Sequence, residues 1–446
     1  MFYLFFDRRS IQYFLCFCIF FFLLNFFLSN FLDFFSLLNL TFHKINSIFF
    51  KISICLFFIL FSTFFIKEEL KYEVRILNKK KIFNFFIAIL LVGILLNFLK
   101  FYFLTKEYTL AFNYCTLGNL RNVWLKSSLD GIQKFTSILS FLISNFVFFI
   151  IFFVYIFKSS LSSKKESLIY IFLAILLISF FFTNFSRQVL INFLTFYLCI
   201  IIIKFCFTKK FQFSIKDFLL FLLPLLIIFA YTFSYSKCRN LDDKYYFDEQ
   251  IEFEKNYNVK IDKGVTKPSF SFKNELNEKN KLFYNLSPKI KHSLRYLYLG
   301  LDNSKILLQF DKDYNNQKLH SYYIKTTLFS DFDFLFKEKT LTNNNHQYID
   351  NKLAGNTSYI VLAYFDYSLY FYLILLILFF LAFLISKKVL EKNFFLFSLI
   401  LILTLYFSIQ SIFFNTPFTI NFRHFIFLFI ILSLFFSKNL KILKCS

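Results

Sequence analysis

Long, almost wholly apolar runs alternate with short lysine-rich stretches along this chain. A helix rises 1.5 Å per residue through about 30 Å of hydrocarbon, so about twenty apolar residues make one crossing. Runs of that kind cover residues 11–38, 48–66, 82–104, 136–157, 167–207, 217–236, 367–386, 393–414 and 419–437. They are apolar on every face, so no 3.6-residue stripe separates a lipid side from a buried side. The pattern predicts an all-α polytopic membrane protein with eight or nine membrane segments. Residues 67–81 (KEELKYEVRILNKKK) read as a charged loop, and 105–135, with Trp124, as a connection carrying an interfacial helix. From 237 to 365 the character changes: this stretch holds 16 of the 27 acidic and 20 of the 50 basic residues. Runs within it such as YLYLGLDNSKILLQF predict a polar α+β or partly irregular insert. It divides a membrane domain at 1–236 from C-terminal membrane helices at 366–446.

The run from Ser167 to Phe207 is twice as long as one crossing needs, and Arg187 stands at its middle with no acid anywhere in it. Either two spans meet at a turn near Thr183–Ser186, or one long, strongly inclined helix lies in the membrane. The absence of Pro and Gly at that point favours the continuous helix. An arginine near the bilayer centre costs about 2.5–3.5 kcal/mol on insertion scales and cannot escape by losing its proton, so it faces a protein partner or a wet cavity. Arg187 is therefore the leading functional candidate. On a helix Asn184 and Thr195 fall within about 80° of it and Gln188 within about 100°, while Thr183 and Ser179 lie on the other flank and Asn192 further round. The next span carries Pro224 and a polar aromatic end at Tyr231, Thr232, Ser234 and Tyr235. Asn184, Gln188, Asn192, Thr195 and Tyr231 are the candidates for lining a proton path. The bland alternative is that such groups bond to backbone and neighbouring helices.

Composition changes the picture in two ways. The chain has 79 Phe against 6 Gly and 4 Pro among its 446 residues, a skew toward residues with A/T-rich codons that points to an organellar or endosymbiont genome. Its net charge of +23 comes with a mean hydropathy of +0.59, and the lysines cluster beside the spans. They therefore suit anchoring and anionic lipid such as cardiolipin, with no nucleic-acid partner. Counted under the positive-inside rule, loops 67–81, 158–166, 208–216 and 387–392 and the tail after Ser437 share one side, provided that 167–207 enters and returns to it. The polar insert then lies on the other side. The opening MFYLFFDRRSIQYFLCFCIFFFLLNFF reads as a signal anchor. No P-loop, GxSxG, HExxH, CxxC or paired haem-ligand histidines occur, so nucleotide hydrolysis, serine or zinc catalysis and bis-histidine haem binding find no support; no metal or other cofactor is expected beyond bound lipid.

A central arginine in a long membrane helix, then a short basic loop and a helix ending in a polar aromatic stretch, resembles the core of ATP synthase subunit a. TNFSRQVLINF stands where that family has an SLRLxxN-like stretch, and IFAYTF at Ile228–Phe233 is similar to its IQAYVF, with Phe229 in place of glutamine. The likeness covers residues 165–240 and, with the Phe-rich composition, is greatest to the divergent subunit a of ciliate mitochondrial genomes. It implies a non-nucleotide-binding subunit of a proton-transporting enzyme of the mitochondrial inner membrane. In that setting Arg187 faces a c-ring carboxylate, and the partners are the c-ring, other Fo subunits and lipid in a dimeric complex. The spans after 366 have no counterpart in the usual family member. Two competitors are a core subunit of another respiratory complex, such as cytochrome oxidase or complex I, and a polytopic glycan polymerase or glycosyltransferase.

Overall fold

In a computed structural model of the chain, the described residues are 2–33, 42–63, 70–105, 131–158, 163–184, 187–209, 211, 213–238, 388–410 and 420–445. The polar insert, the predicted span 367–386 and Trp124 lie outside them. The described part is mostly helical. Its helices are α1 (Arg8–Asp33), α2 (Phe42–Ser62), α3 (Lys79–Thr105), α4 (Gly131–Ser144), α5 (Phe146–Ile156), α6 (Ser163–Asn184), α7 (Arg187–Thr208), α8 (Ile215–Cys238), α9 (Phe394–Gln410) and α10 (Ile420–Ser437). Four stretches are long and apolar enough to cross a bilayer within described helices: Arg8–Leu28, Lys79–Phe103, Phe135–Ile156 and Leu190–Thr208. This is a multi-pass membrane protein.

The 167–207 run is not one helix. Tyr170 in α6 and Tyr197 in α7 both donate their phenol hydrogens to the same carboxylate oxygen, Oδ1 of Asp217, the second at 2.9 Å. In a continuous helix their 27-residue separation would hold them about 40 Å apart along the axis. The run is therefore a hairpin whose tip lies between Asn184 and Arg187, which corrects the expectation of a single long inclined helix. The length of the run, twice what one crossing needs, is the signal that outweighs the lack of Pro or Gly.

At the end opposite the hairpin tip, three strands form a small antiparallel sheet. They are β1 (Phe2–Phe6), β2 (Leu70–Ile76) and β3 (Leu440–Cys445), in the order β1-β2-β3. Phe2 pairs with Val74 and Val74 with Ile442, so residues from the two ends of the chain flank one central strand. Alternation explains the sheet: Leu4, Phe6, Tyr72, Val74 and Ile76 are buried, whereas Tyr3, Lys71 and Arg75 point outward. Residues 2–7, read from sequence as part of a signal anchor, are a strand and a cap. Asp7 accepts hydrogen bonds from the backbone N–H and hydroxyl of Ser10 at 2.8 and 2.7 Å and so opens α1.

The same contacts gather the lysine-rich loops. Asp7 is ion-paired with Lys209, Tyr72 donates to Glu391 at 3.2 Å, and the Leu77 amide donates to the Asn439 carbonyl at 2.9 Å. The described parts of the predicted one-sided loops thus meet at one basic end, in keeping with the positive-inside count. Burial pushes the Asp7 carboxyl up, but the hydrogen bonds from Lys209 and Ser10 outweigh it and hold it below the ordinary carboxylate value. A carboxyl lowered in the folded state contributes fully above the unfolded value of about 3.9 and loses its contribution as pH falls through the folded one. Amide exchange at Ser10 and in β1 is accordingly expected to accelerate only below about pH 4, and Lys209→Ala to move that onset upward.

The interior is built from phenylalanine. All ten residues from Val147 to Ile156 in α5 are buried, and Phe149, Phe152 and Phe153 contact rings of Phe395, Phe429, Phe436 and Phe86. Helix α7 packs against α5, α9, α1 and α8, and 83% of its apolar window is buried, against 28% for α3. Phe20, Phe27, Phe58, Leu95 and Phe435 point outward from the outer helices, where lipid replaces a protein partner.

Close approach of α3 to α4 and α6 depends on Gly93. A β-carbon there would lie 3.0 Å from Leu176 Cδ1 and 3.2 Å from Ile143 Cγ2. Gly93→Leu is expected to destabilise the detergent-solubilised protein by about 1–3 kcal/mol, read as a lowered melting temperature, whereas Gly93→Ala needs only a small shift of Leu176.

Candidate functional site

The hairpin tip brings together three of the residues singled out from sequence. Asn184 closes α6, Arg187 opens α7 and Gln188 follows it. Their side chains, and that of Tyr231 in α8, lie outside the described set. Arg187 consequently stands at the end of a 22-residue helix rather than at the middle of a 41-residue one. Asn192 and Thr195, one turn apart on α7, are buried, and Tyr406 of α9 donates to Asn192 Oδ1 at 2.9 Å. Asn192 is thus tied to the C-terminal helices. Ser179 belongs to a separate polar cluster between α3, α4 and α6: Asn97 donates to it at 3.0 Å and accepts from Ser140 at 2.6 Å and Ser144 at 3.2 Å. Four side chains without formal charge satisfy one another there, as buried polar groups in a bilayer must.

Among the described residues, the densest ionisable site is at the basic end, where sequence reasoning expected only flanking charges. Asp217, fully buried in the first turn of α8, accepts at Oδ2 from Lys158 Nζ at 2.6 Å, from the Ser214 amide at 2.7 Å and from the Ser214 hydroxyl at 2.7 Å. Oδ1 takes the two tyrosine hydroxyls already described. Lys158 also lies 3.4 Å from Glu166 Oε1, and Lys216 lies 3.8 Å from Glu166 Oε2. Glu166 is 7% exposed, and its Oε1 accepts no hydrogen bond. Beside them the buried Lys204 donates to the Tyr155 carbonyl at 2.7 Å and sits 4.6 Å over the Tyr155 ring. A signal for this site was present: Ser214-Ile215-Lys216-Asp217 has the spacing of a capping box, and the Asp217 amide donates to the Ser214 hydroxyl at 3.4 Å. The convergence of Lys158, Glu166, Tyr170 and Tyr197 on it depends on the hairpin.

Chemically, the site holds buried charge. Two carboxylates share one ammonium, and two phenols bond to the inner carboxylate. Among the described residues, no cluster of three or more His, Cys, Asp or Glu side chains has the makings of a metal site. Cys18, Cys199 and Cys206 are buried free thiols in apolar surroundings and behave there as small hydrophobic groups. No family model, curated protein or solved structure matches the chain.

Proposed function

We propose that the chain is the proton-translocating stator subunit of an F-type ATP synthase, of the subunit a kind, in the mitochondrial inner membrane. The observation that carries this reading is the placement of Arg187, a permanent cation in an acid-free apolar run, where two membrane helices of one hairpin meet. Helix α8, with IFAYTF, follows after a short basic loop, as the resemblance requires. The full architecture has eight or nine membrane segments. The hairpin lies inclined to the bilayer, because two upright helices of 22 residues would carry Arg187 to the membrane edge. The c-ring meets this hairpin at its tip, since α7 beyond Leu190 is enclosed by its own chain.

In this role Arg187 faces the c-ring carboxylate. A fixed positive charge favours the ionised form of that acid and so drives proton release as each c subunit passes. The same charge repels a proton that would leak directly between half-channels. Asn184, Gln188, Asn192, Thr195 and Tyr231 supply hydroxyl and amide groups for those half-channels. The basic end holds anionic lipid such as cardiolipin, and the partners are other Fo subunits in a dimeric complex.

A second reading, a core subunit of another respiratory complex, is favoured by the enclosure of α7 and by the Tyr406–Asn192 bond, which make the C-terminal helices part of the core. Native gel separation of detergent-solubilised membranes followed by mass spectrometry separates the two. Comigration with the catalytic-head subunits of ATP synthase supports the first. Comigration with haem or NADH dehydrogenase activity replaces it with the second, and comigration with neither overturns both in favour of a polymerase or transferase.

A further inference from the structure

We propose that the paired starts of α3 and α6 bind one anionic phospholipid, with its phosphate between Lys79 and Lys165 and an acyl chain along the outward face of α6. The proposal rests on the reading that the basic end holds anionic lipid and gives that lipid a place. The two helices run parallel. Lys165 Nζ lies 5.1 Å from the centre of the Phe83 ring, Gly93 meets Leu176 and Asn97 donates to Ser179, so the contacts advance together along both. Both helices therefore begin at the same level, and Lys79, Lys80 and Lys81 of α3 stand beside Lys164 and Lys165 of α6. All five are exposed, and among the described residues none of them is paired with an acid. Glu166, next in the sequence, is turned to Lys158 and Lys216.

What these lysines rim is apolar. A shallow groove beneath them is lined by Lys79 with Phe83 and Phe86 of α3, Phe153 of α5 and Ile169 of α6. On the outside of α6, Lys164 heads a stripe at helical spacing that continues through Leu168, Ile171 and Ile175, which are 41, 55 and 37% exposed. Uncompensated cations above aromatic rings, followed by an outward apolar stripe, complement a molecule that is charged at one end and hydrocarbon at the other. The phosphate takes the lysines as counter-ions, the glycerol region lies on the groove, and the chain covers the stripe. A free anion would satisfy the lysines alone and leave the groove and stripe without a partner. The start of each helix adds the positive end of its own dipole to the attraction.

The test uses phosphatidylglycerol with a photoreactive acyl chain, added to the purified complex in phosphatidylcholine liposomes, with labelled peptides mapped by mass spectrometry. Lys79→Gln with Lys165→Gln removes the site. Lys388→Gln with Lys392→Gln, at exposed lysines of the same basic end, removes equal charge elsewhere. Melting temperature checks that both variants fold. The site predicts that labelling of the wild type centres on residues 79–86 and 165–175 and is displaced by unlabelled phosphatidylglycerol, but not by phosphatidylcholine or inorganic phosphate. It also predicts a loss of at least about tenfold in the first double variant and wild-type labelling in the second. Equal loss in both, or labels spread evenly over the basic end, overturns the site in favour of general surface attraction and leaves the lipid reading intact. Displacement by inorganic phosphate shows an anion without a lipid and overturns it as well. No preference for phosphatidylglycerol over phosphatidylcholine at any position overturns the parent reading itself. Should the first variant not fold, the wild-type label map decides alone.

Discussion

Arg187→Ala is expected to abolish ATP-driven proton pumping, in the role proposed for this chain, while the complex still assembles. The argument is electrostatic. In the proposed role, a rotor carboxylate that passes the subunit has to lose its proton to one side of the membrane and regain one from the other, and in a low-dielectric setting it stays protonated unless a cation stands beside it. Alanine removes that cation, so the carboxylate has no reason to ionise at the stator and rotation stalls. Lysine is expected to restore little, because its ammonium can itself shed a proton in an apolar setting and lacks the planar fork of arginine. Assembly is expected to be spared because Arg187 is the first residue of α7 and alanine is a good helix former there. Acidification of inverted membrane vesicles on addition of ATP measures the effect. Pumping at the wild-type rate in an assembled Arg187→Ala complex would remove this residue from the mechanism.

The second large effect is on stability. Asp217→Ala leaves Lys158, 16% exposed, without its nearest counter-charge and deprives two tyrosine hydroxyls of their acceptor. Breaking one side of a buried ion pair costs about 3–5 kcal/mol, more than the pair itself contributes, because the remaining charge must still be kept from water. Since Asp217, in α8, joins Lys158 just beyond α5 to α6 and α7, the loss is expected to open the hairpin from its basic end. It should appear as a lowered melting temperature and as new protease cleavage near residues 158–166. Asp217→Asn keeps an acceptor for the tyrosines and should cost less. Combining Asp217→Leu with Lys158→Met should recover much of the loss by removing both charges together. A double variant no more stable than Asp217→Ala would show that tyrosine bonding, and not charge pairing, holds the cluster.

How far each part was legible follows from the kind of information it needed. That the chain crosses a membrane several times follows from run length and hydropathy alone, since about twenty apolar residues have few other places to go. The loop lysines went further: their one-sided count required the 167–207 run to return to the side it left, and the hairpin does so. Against that, the missing Pro and Gly favoured a straight helix, and the local rule lost to the global one.

The site at Asp217 was not legible, although its Ser214–Asp217 capping box was. Spacing along a helix places Tyr170 or Tyr197 only relative to its own helix. Their meeting on one oxygen is a property of how three helices pack. The terminal strands were hidden for the same reason, because Phe2–Phe6 and Leu440–Cys445 gain strand geometry only from Leu70–Ile76 between them.

Sequence by itself therefore determined the solvent of each segment and the side on which its charges lie, because transfer of a residue between water and hydrocarbon depends mainly on that residue's own chemistry. Tertiary structure alone decided which buried polar groups meet. Inside a bilayer every helix is apolar on all sides, so pairing rests on a few sites of close fit or shared hydrogen bonds, such as Gly93 against Leu176 and Asn97 among its three serines.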